Sequence, residues 1–430
     1  GDLKPMALKA VIFNAEGVLF KDRATVVPDA PTGFALRGGE IRAELQALFE
    51  FLRARGVRPI ILTNREWTAR DDDAGRSAPV DEALRTMFGE HRLYVAMRGD
   101  VPLKPQRECL TTLLAKERLQ REEVVMVGTS MADFKTATNA DVLFLNATWD
   151  RQEVAYGFTF GSPWEIRRFV DLFALREHPW FYAIDEGPVR FRSLAPYTTL
   201  TGSDQTRAYS AAAEAAAKRA TEDRHFFLNS LVSSLYFSGL APGAFDYIAA
   251  IPGHRAGFGN PAMDDNLAVL GGIFRTNYLR DLIVRHTDAP SSRQTRRSSS
   301  TPLVETQFNT IHLTRRPLKK GDEPYKNSPL KAGKRVLVLD DFATGGVTLE
   351  AARNYLAQAG VEAVLVTWLK TITRPYQIVT PRRRFDPFGP QAFTSADFEV
   401  RALPYHAHIA DPGAREELGD AFQRYQTWRP

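Results

Sequence analysis

Residues 336–348 read VLVLDDFATGGVT and leave few choices of fold. Four consecutive apolar residues predict a buried parallel strand, and the acids Asp340 and Asp341 follow it directly. Gly345 and Gly346 then predict a tight loop, after which the periodic stretch TLEAARNYLAQAG predicts a helix. A strand, a loop and a helix in this order are typical of an open α/β sheet, whose ligands lie beyond the carboxyl ends of the strands.

The same stretch combines acceptors for hydroxyl groups with donors for an anion. Glycines allow several backbone N–H groups to turn onto one anion, and the following helix adds its positive end. Carboxylates accept hydrogen bonds from neighbouring hydroxyls, and such charge-assisted bonds are stronger than neutral ones. We therefore predict a site for a sugar phosphate, such as a ribose 5-phosphate, with the acids on the sugar and the loop amides on the phosphate.

Strands and helices alternate in both halves of the chain. The apolar runs LKAVIFNAEGVLF, RPIILTNRE and EEVVMVGTS predict buried strands of a first doubly wound α/β domain, residues 1–170. A second α/β domain is predicted for residues 206–430. Between them, 171–205 mixes aromatics, prolines and turn residues without a clean period, so it is interpreted as a connector. The Ser- and Arg-rich stretch TDAPSSRQTRRSSSTP predicts a mobile loop inside the second domain.

Composition sets broad limits. With 44% apolar and 25% charged residues, the 430-residue chain can bury ordinary globular cores. A net charge of +5 suits anionic small molecules as well as nucleic acid. The single cysteine, Cys109, excludes an intrachain disulfide and is predicted to be a buried small apolar residue. No run of 18 apolar residues or signal-peptide pattern is found, so we expect a cytoplasmic protein without a membrane partner.

The stretch at 336–348 resembles the PRPP-binding motif of type I phosphoribosyltransferases. The resemblance covers roughly residues 205–375 and implies a sheet with a hood, PRPP and a base-like acceptor as substrates, release of pyrophosphate, and Mg²⁺ as cofactor. One departure is that Gly345 stands where many members have a threonine, so one hydroxyl donor to the phosphate is missing. The resemblance implies that PRPP binds to Asp340, Asp341, Thr344, Gly345, Gly346 and Thr348.

A second motif supports this resemblance. The stretch IPGHRAGFGN at 251–260 is similar to the pyrophosphate loop of the family, particularly in its competence-protein-F-like branch. By that similarity the backbone amides and a cation would face the pyrophosphate, and the mobile loop would close over it as a lid. The residues so implied are Gly253, His254 and Arg255 in the loop, and Arg293, Arg296 and Arg297 in the lid.

The N-terminal half resembles a different family, the haloacid dehalogenase-like (HAD) phosphatases. Their first motif is a strand ending in Asp-x-Asp-Gly, which this chain replaces by Asn14 and Glu16. Three further motifs follow in order, namely Thr63-Asn64, Lys104 and Asp133. The resemblance implies that Glu16 is the general acid/base and that Thr63, Asn64 and Lys104 hold a phosphate ester. It also implies that Mg²⁺ lies at positions 14, 16 and 133, while Thr129 replaces an acid often found there.

Asn14 has a clear chemical consequence. A neutral amide cannot form an aspartyl-phosphate and is a weaker Mg²⁺ ligand than a carboxylate, so this domain should hydrolyse phosphate esters poorly. Two explanations stay open: an engineered replacement of Asp, or a natural pseudo-phosphatase that binds or scaffolds. The short spacing between motifs leaves no room for a large cap, so the site should be open to bulky esters.

Together the two resemblances imply a bifunctional enzyme that adds a phosphoribosyl group to a base and then removes the 5-phosphate. Such a pairing is similar to domain combinations proposed for tellurite-resistance-type stress-response operons, and a homodimer is one assembly that it allows. Two alternatives stay open. The basic runs RRPLKK (315–320) and TPRRRF (380–385) would suit a PRPP- or nucleotide-sensing regulator that binds nucleic acid, and the competence-like branch suggests a DNA-uptake accessory protein.

Overall fold

The computed structural model describes residues 8–21, 33–35, 39–71, 76–197, 204–219, 223–290, 304–404 and 410–430. The chain divides into two compact units. Of the residues described, the N-terminal unit comprises those of Pro5–Glu177 with the short pieces Tyr236–Gly239 and Trp428–Pro430, and the C-terminal unit comprises those of His178–Leu235 and Leu240–Thr427. Among the described residues, no helix has both the length and the apolar character needed to cross a membrane.

The N-terminal unit alternates strands with helices. In chain order its elements are β1 (Ala10–Asn14), β2 (Gly33–Ala35), α1 (Gly39–Ala54), β3 (Arg58–Thr63), β4 (Thr68–Asp71), β5 (Arg76–Pro79), α2 (Val80–Phe88), β6 (Arg92–Val95), α3 (Arg107–Glu117), β7 (Val124–Gly128), α4 (Met131–Asn139), β8 (Leu143–Ala147), β9 (Thr159–Phe160) and α5 (Pro163–Phe169).

Its main sheet is parallel, with the strand order β6-β3-β1-β7-β8-β9. All residues of β1 and β7 are buried, as their continuous apolar sequences predict. The chain passes from β1 to β3 on one side and returns later to β7 on the other side, so a crevice opens at the carboxyl end of β1. A separate sheet of three short strands, β2-β4-β5, agrees with the prediction of a minimal cap.

The C-terminal unit carries the second sheet and two smaller ones. Its elements are β10 (Tyr182–Glu186), β11 (Val189–Tyr197), α6 (Asp204–Arg219), α7 (Arg224–Phe237), β12 (Tyr247–Ala250), β13 (Gly257–Phe258), α8 (Asp264–Phe274), β14 (Asn277–Tyr278), β15 (Ile283–Arg285), α9 (Val304–Phe308), β16 (Ile311–Leu313), β17 (Arg335–Ala343), α10 (Val347–Gln358), β18 (Glu362–Thr371), β19 (Gln377–Pro381), β20 (Phe398–Ala402) and α11 (Pro412–Thr427).

The second sheet has the order β10-β11-β18-β17-β12-β14, and only β10 runs antiparallel to its neighbour. β12 lies between β14 and β17, so the chain leaves β12 on one side and returns on the other. A second crevice therefore opens between the carboxyl ends of β12 and β17. Two small antiparallel sheets complete the unit. One contains β13, β15 and β16, and the other pairs β19 with β20. Two doubly wound α/β domains were predicted, and this architecture confirms them.

The prediction that residues 171–205 are a connector is wrong for residues 182–197. β10 and β11 form a hairpin through Gly187, whose φ is +56°, and β11 pairs in parallel with β18. This stretch belongs to the second sheet, and the boundary between the units follows Glu177. The strand was missed because charged residues and a proline interrupt its apolar sequence, VRFRSLAPY, although seven of its nine residues are buried.

Candidate active sites

A cavity of ≈ 480 Å³ lies at the crevice between β12 and β17. The loops that follow these two strands meet there because the carboxyl ends of neighbouring parallel strands lie at the same edge of the sheet. Eight of the predicted site residues line the cavity: Gly253, His254, Asp340, Asp341, Thr344, Gly345, Gly346 and Thr348. Arg255 is exposed and is not among the lining residues, whereas Arg293, Arg296 and Arg297 lie outside the described residues.

The two acids lie inside β17 rather than after it, which corrects the predicted end of that strand. β17 continues to Ala343 because β18 pairs with it from Arg335 to Ala343. The backbone N–H of Asp341 donates to Oδ1 of Asp340 at 2.8 Å. Burial, helped by the Asp341 carboxylate, raises the pKa of Asp340 well above its usual range. An acid pair of this kind is suited to hydroxyl groups or a cation brought by a ligand.

The loop between β17 and α10 has only three residues, and Gly346 determines its shape. Gly346 has φ +80° and caps α10, and a Cβ added there would lie 2.3 Å from Cε2 of Tyr376. Only glycine meets both requirements. Gly345 differs, because an added Cβ would meet nothing nearer than Gln377 at 3.6 Å. The carbonyl of Gly345 accepts from the backbone N–H of Gln377 at 2.8 Å, which holds the loop from one side.

A buried polar network that was not predicted from the sequence lies behind this loop. The fully buried Glu350 accepts hydrogen bonds from the Tyr376 hydroxyl at 2.7 Å and from the backbone of Val379 at 3.0 Å. Arg353 donates two more, at 3.0 and 2.6 Å. The carboxylate is therefore well satisfied, and it joins α10 to the segment that packs against Gly346. A glutamate and an arginine three residues apart in a helix look like an ordinary surface pair.

The loop at 251–260 is fixed by the last residue of β15 and by the segment that follows this strand. Nε of Arg285 donates to the Gly253 carbonyl at 2.6 Å, and the N–H of Ala289 donates to the His254 carbonyl at 2.8 Å. Asp288 accepts from the N–H of Ala256 at 2.7 Å. Arg285 itself lines the cavity and was not predicted from the sequence.

The N-terminal site lies at the carboxyl end of β1, where residues from four motifs meet. The ammonium of Lys104 donates to Oδ1 of Asn14 and, at 2.9 Å, to Oδ1 of Asp133. Thr63 donates to Oε1 of Glu16 at 2.5 Å. Burial lowers the pKa of Lys104, but Asp133 and Glu16 outweigh it, so the pKa is raised and the side chain stays charged. The predicted residues are thus brought together in space.

Asn64 and Asp133 are held by backbone groups as well. Oδ1 of Asn64 accepts from the N–H of Lys104 at 2.9 Å, which orders the lysine loop. Oδ2 of Asp133 accepts from the N–H groups of Thr129 and Ser130 at 3.1 and 3.2 Å. The last residue of β7 is Gly128, and it must be glycine because any Cβ there would lie 2.5 Å from Cβ of Asp133. This acid is therefore locked in one position.

The N-terminal residues do not fit Mg²⁺ as they stand. The amide nitrogen of Asn14 donates to the backbone carbonyl of Glu16 at 2.7 Å, and its oxygen already accepts from Lys104. In the part of the chain that the structure describes, no group of three His, Cys, Asp or Glu side chains could hold a metal. At the C-terminal cavity, by contrast, the donor set of two adjacent acids fits a Mg²⁺ ion that takes its other ligands from a substrate.

Two further expectations from the sequence concern residues outside the two sites. Cys109 is buried, as predicted, and burial raises the pKa of its thiol to about 11. In the basic runs, Arg315 lies over the ring of Phe388 at 4.2 Å and Arg383 over that of Phe393 at 4.0 Å. Both arginines stay exposed while they contact these rings, and nucleic-acid binding by the basic runs stays a prediction.

Two family models match the chain. The model described as haloacid dehalogenase-like hydrolase matches residues 9–141, and the model described as phosphoribosyl transferase domain matches residues 280–378. The first span contains the motifs around Asn14, Thr63, Lys104 and Asp133. The second contains the acid pair and the glycine loop. No curated protein matches the chain.

Solved structures that resemble part of the chain include three hydrolases. A putative HAD family hydrolase from Streptomyces avermitilis is 16% identical over 38% of this chain and 90% of its own, with a TM-score of 0.27. The cobalt-bound deoxy-D-mannose-octulosonate 8-phosphate phosphatase from Haemophilus influenzae is 11% identical over 38% and 86%, with a TM-score of 0.29. The core domain of a putative phosphoglycolate phosphatase from Streptococcus pneumoniae is 18% identical over 39% and 97%, with a TM-score of 0.26. From the two matching family models, the chain joins a haloacid dehalogenase-like hydrolase domain to a phosphoribosyltransferase domain.

Proposed function

We propose that the C-terminal unit transfers 5-phosphoribose from PRPP to a base-like acceptor and releases pyrophosphate. One observation carries the proposal: the acid pair, the glycine loop at the start of α10 and the loop after β12 all line one cavity. The acid pair supplies acceptors for hydroxyl groups, and each of the two loops supplies backbone N–H donors for a phosphate. A volume of ≈ 480 Å³ lies within the usual range of small-molecule sites.

Each part of the cavity has a distinct role in this proposal. The backbone N–H groups of residues 344–348 and the positive end of α10 bind the 5-phosphate. Asp340 and Asp341 accept hydrogen bonds from the ribose hydroxyls. Mg²⁺, when bound through the diphosphate and held by these two acids, would neutralise charge on the leaving group.

The bond between C1 of the ribose and the pyrophosphate oxygen breaks as the acceptor nitrogen attacks C1. The transition state resembles an oxocarbenium ion, and negative charge develops on the departing pyrophosphate. Such a step requires little covalent help from the protein. Positioning of the two substrates and electrostatic stabilisation of the departing charge supply most of the rate enhancement.

We propose that the N-terminal unit acts on the nucleotide that the transfer produces. With Asp at position 14 it would remove the 5-phosphate from the new nucleotide to give a nucleoside-like compound, and with Asn14 it binds a phosphate ester without turning it over. The support is the site geometry, in which a charged Lys104 lies beside the side chains of positions 14 and 133. Joining both sites in one chain would raise the local concentration of the intermediate.

Calorimetry and a time course test this proposal. The protein should bind ribose 5-phosphate, and PRPP in the presence of Mg²⁺. The double change Asp340→Ala and Asp341→Ala should weaken both. With a library of bases, pyrophosphate should be released first, and inorganic phosphate should follow only in Asn14→Asp. Absence of PRPP uptake, together with no effect of the double change, would overturn the transferase proposal. Pyrophosphate release without later phosphate in Asn14→Asp would overturn the coupling.

A further inference from the structure

We infer that the side-chain amide of Gln377 donates to the phosphate group that the loop at 344–348 binds, and that it fills the space beside Gly345. This inference rests on the proposed function and adds one residue to its 5-phosphate site. Gln377 begins β19, a segment distant in sequence from this loop, and it lines the cavity. Gly345 and Gly346 offer only backbone N–H groups, so a neighbouring amide adds donors that these two positions lack.

The Gln377 side chain lies beside the phosphate loop. If a Cβ were added to Gly345, its three nearest atoms would all belong to Gln377, with Oε1 at 3.6 Å and Cδ at 3.8 Å. The torsion that orients a glutamine amide is broad, so either the oxygen or the NH₂ group can turn toward the loop. An anion in the loop selects the NH₂ group, because only that group can donate.

The backbone that carries this side chain is held in place. The N–H of Gln377 donates to the Gly345 carbonyl at 2.8 Å. The preceding residue, Tyr376, is buried, and its hydroxyl donates to Glu350 at 2.7 Å. Two residues further along, the N–H of Val379 donates to the same carboxylate at 3.0 Å. Only the side-chain torsions of Gln377 must therefore be fixed when a phosphate binds, which limits the entropic cost of binding.

The amide of Gln377 is available to a ligand. In the part of the chain that the structure describes, this half-buried side chain forms no hydrogen bond. Gln391 is half-buried as well, but its amide donates to the carbonyls of Asp386 and Gly389 at 2.8 and 3.2 Å. Partly buried amides are usually bonded in this second way. An amide that lines a cavity and has no protein partner can instead bind what enters the cavity.

The surroundings of Gln377 identify the part of the ligand that it meets. Its backbone bonds to the loop between β17 and α10, whose N–H groups are proposed to bind the 5-phosphate. Among the described residues, it forms no hydrogen bond with the acid pair or with the loop at 251–260. A hydrogen bond from a neutral amide to a charged phosphate oxygen is stronger than one between two neutral groups. Loss of this donor should therefore weaken phosphate binding measurably.

Replacements of Gln377 in the full-length protein test the inference, with calorimetry of ribose 5-phosphate as the measurement. Gln377→Met keeps the length of the side chain but removes its donors, so affinity should fall roughly 10-fold. Gln377→Glu keeps the shape and places a negative charge against the phosphate, so the loss should be larger than in Gln377→Met. Gln391→Met is the matched control outside the cavity and should change affinity less than about twofold.

A second substitution tests the space that Gln377 fills. Gly345→Thr adds a hydroxyl and a methyl group beyond the Cβ position, against the amide, so affinity should fall roughly 3- to 10-fold. In the Gln377→Ala background these atoms enter open space, and the hydroxyl can donate to the phosphate. Gly345→Thr should therefore raise the affinity of Gln377→Ala. If Gly345→Thr lowers affinity equally in both backgrounds, the two side chains do not share one position and the inference is wrong.

The outcomes separate this inference from the proposed function. If the wild type binds ribose 5-phosphate, and both Gln377→Met and Gln377→Glu bind it equally well, the inference is wrong although the transferase proposal stands. If the wild type binds neither ribose 5-phosphate nor PRPP, the transferase proposal itself is wrong. Thermal melts identify a misfolded variant. In that case Gln377→Asn, which withdraws the amide by one methylene, decides: weaker uptake supports the inference, and unchanged uptake overturns it.

Discussion

The two candidate sites lie in equivalent places of two similar sheets but differ in how their charges are satisfied. At the N-terminal site, Lys104 bonds to both Asn14 and Asp133, and Glu16 bonds to Thr63. The side chains there satisfy one another. At the C-terminal cavity, the acid pair and Arg285 form no ion pair among the described residues, although Asp340 and Arg285 act on each other's pKa.

This difference indicates which site is prepared for a ligand. Internal bonds must be broken or shared before a ligand can enter the N-terminal site, and the neutral Asn14 offers no nucleophile. At the C-terminal cavity the raised pKa keeps a proton on Asp340, and the buried Arg285 forms no ion pair among the described residues, so a ligand with hydroxyls and phosphates can bind without breaking ion pairs. The neutral residue at position 14 is the main chemical difference between the sites. Four predictions test the comparison of the two regions.

The largest expected effect is a gain of activity. Asn14→Asp adds a carboxylate beside Lys104 and Asp133, so we expect hydrolysis of p-nitrophenyl phosphate with Mg²⁺ to rise at least about 10³-fold over the wild type. The change is measured as released p-nitrophenol. Asn14→Ser, which stays neutral, is the matched control and should remain inactive. No turnover in Asn14→Asp would remove the phosphatase interpretation of this domain.

Next in size is the loss of the phosphate loop. Gly346→Ala places a Cβ 2.3 Å from the Tyr376 ring at a φ of +80°, a distortion of roughly 3 kcal/mol, which corresponds to about 100-fold in ribose 5-phosphate affinity. Calorimetry checks it. Gly345→Ala is the control, since its Cβ has room, and it should weaken binding no more than about threefold. Equal effects of the two changes would contradict the assigned shape of the loop.

Asp340→Asn should have two moderate effects of opposite sign, one on ligand affinity and one on the stability of the ligand-free protein. It replaces one acceptor oxygen by an amide nitrogen that can only donate, so affinity for ribose 5-phosphate should fall about 10-fold. Without ligand it should be more stable than the wild type at neutral pH. In the folded wild type the pKa of Asp340 is raised above the unfolded value near 3.8, so the folded state keeps a proton that the unfolded state has lost. Stability therefore decreases as the pH rises from about 3.8 toward the folded pKa.

Thermal melts of the ligand-free protein across this pH range measure that slope. Asp340→Asn should flatten it, because the titrating group is gone. Asp322→Asn removes an exposed acid, with 80% of its side chain in solvent, and should leave the slope as it is in the wild type. A slope that is the same in all three proteins would show that Asp340 is not the group responsible.

The smallest expected effect concerns Cys109, the single thiol of the chain. Burial raises its pKa to about 11, so a thiol reagent should label the native protein very slowly and label it completely after denaturation. Cys109→Ala should lower stability by about 1 kcal/mol and leave ribose 5-phosphate affinity unchanged. Rapid labelling of the native protein would contradict the burial of Cys109.

The sequence by itself determined the parts of both sites that are contiguous in the chain. The apolar runs before Asn14 and before Asp340 are buried strands, and Gly346 occupies a position that only glycine can adopt. These features depend on local periodicity and on the backbone conformation of single residues, which neighbouring letters specify. The order of the four N-terminal motifs was also sufficient to predict that Lys104 and Asp133 would meet.

Only the tertiary structure decided what depends on contacts between distant segments. Arg285 bonds to Gly253, 32 residues away, and Tyr376 bonds to Glu350, 26 residues away. β11 is a strand because β18 pairs with it, although its own sequence is interrupted by charges. Burial, and with it the cost of an unpaired charge, is set by everything that packs around a side chain. No short stretch of sequence specifies that environment, so the cation at the cavity became apparent only once the chain was folded.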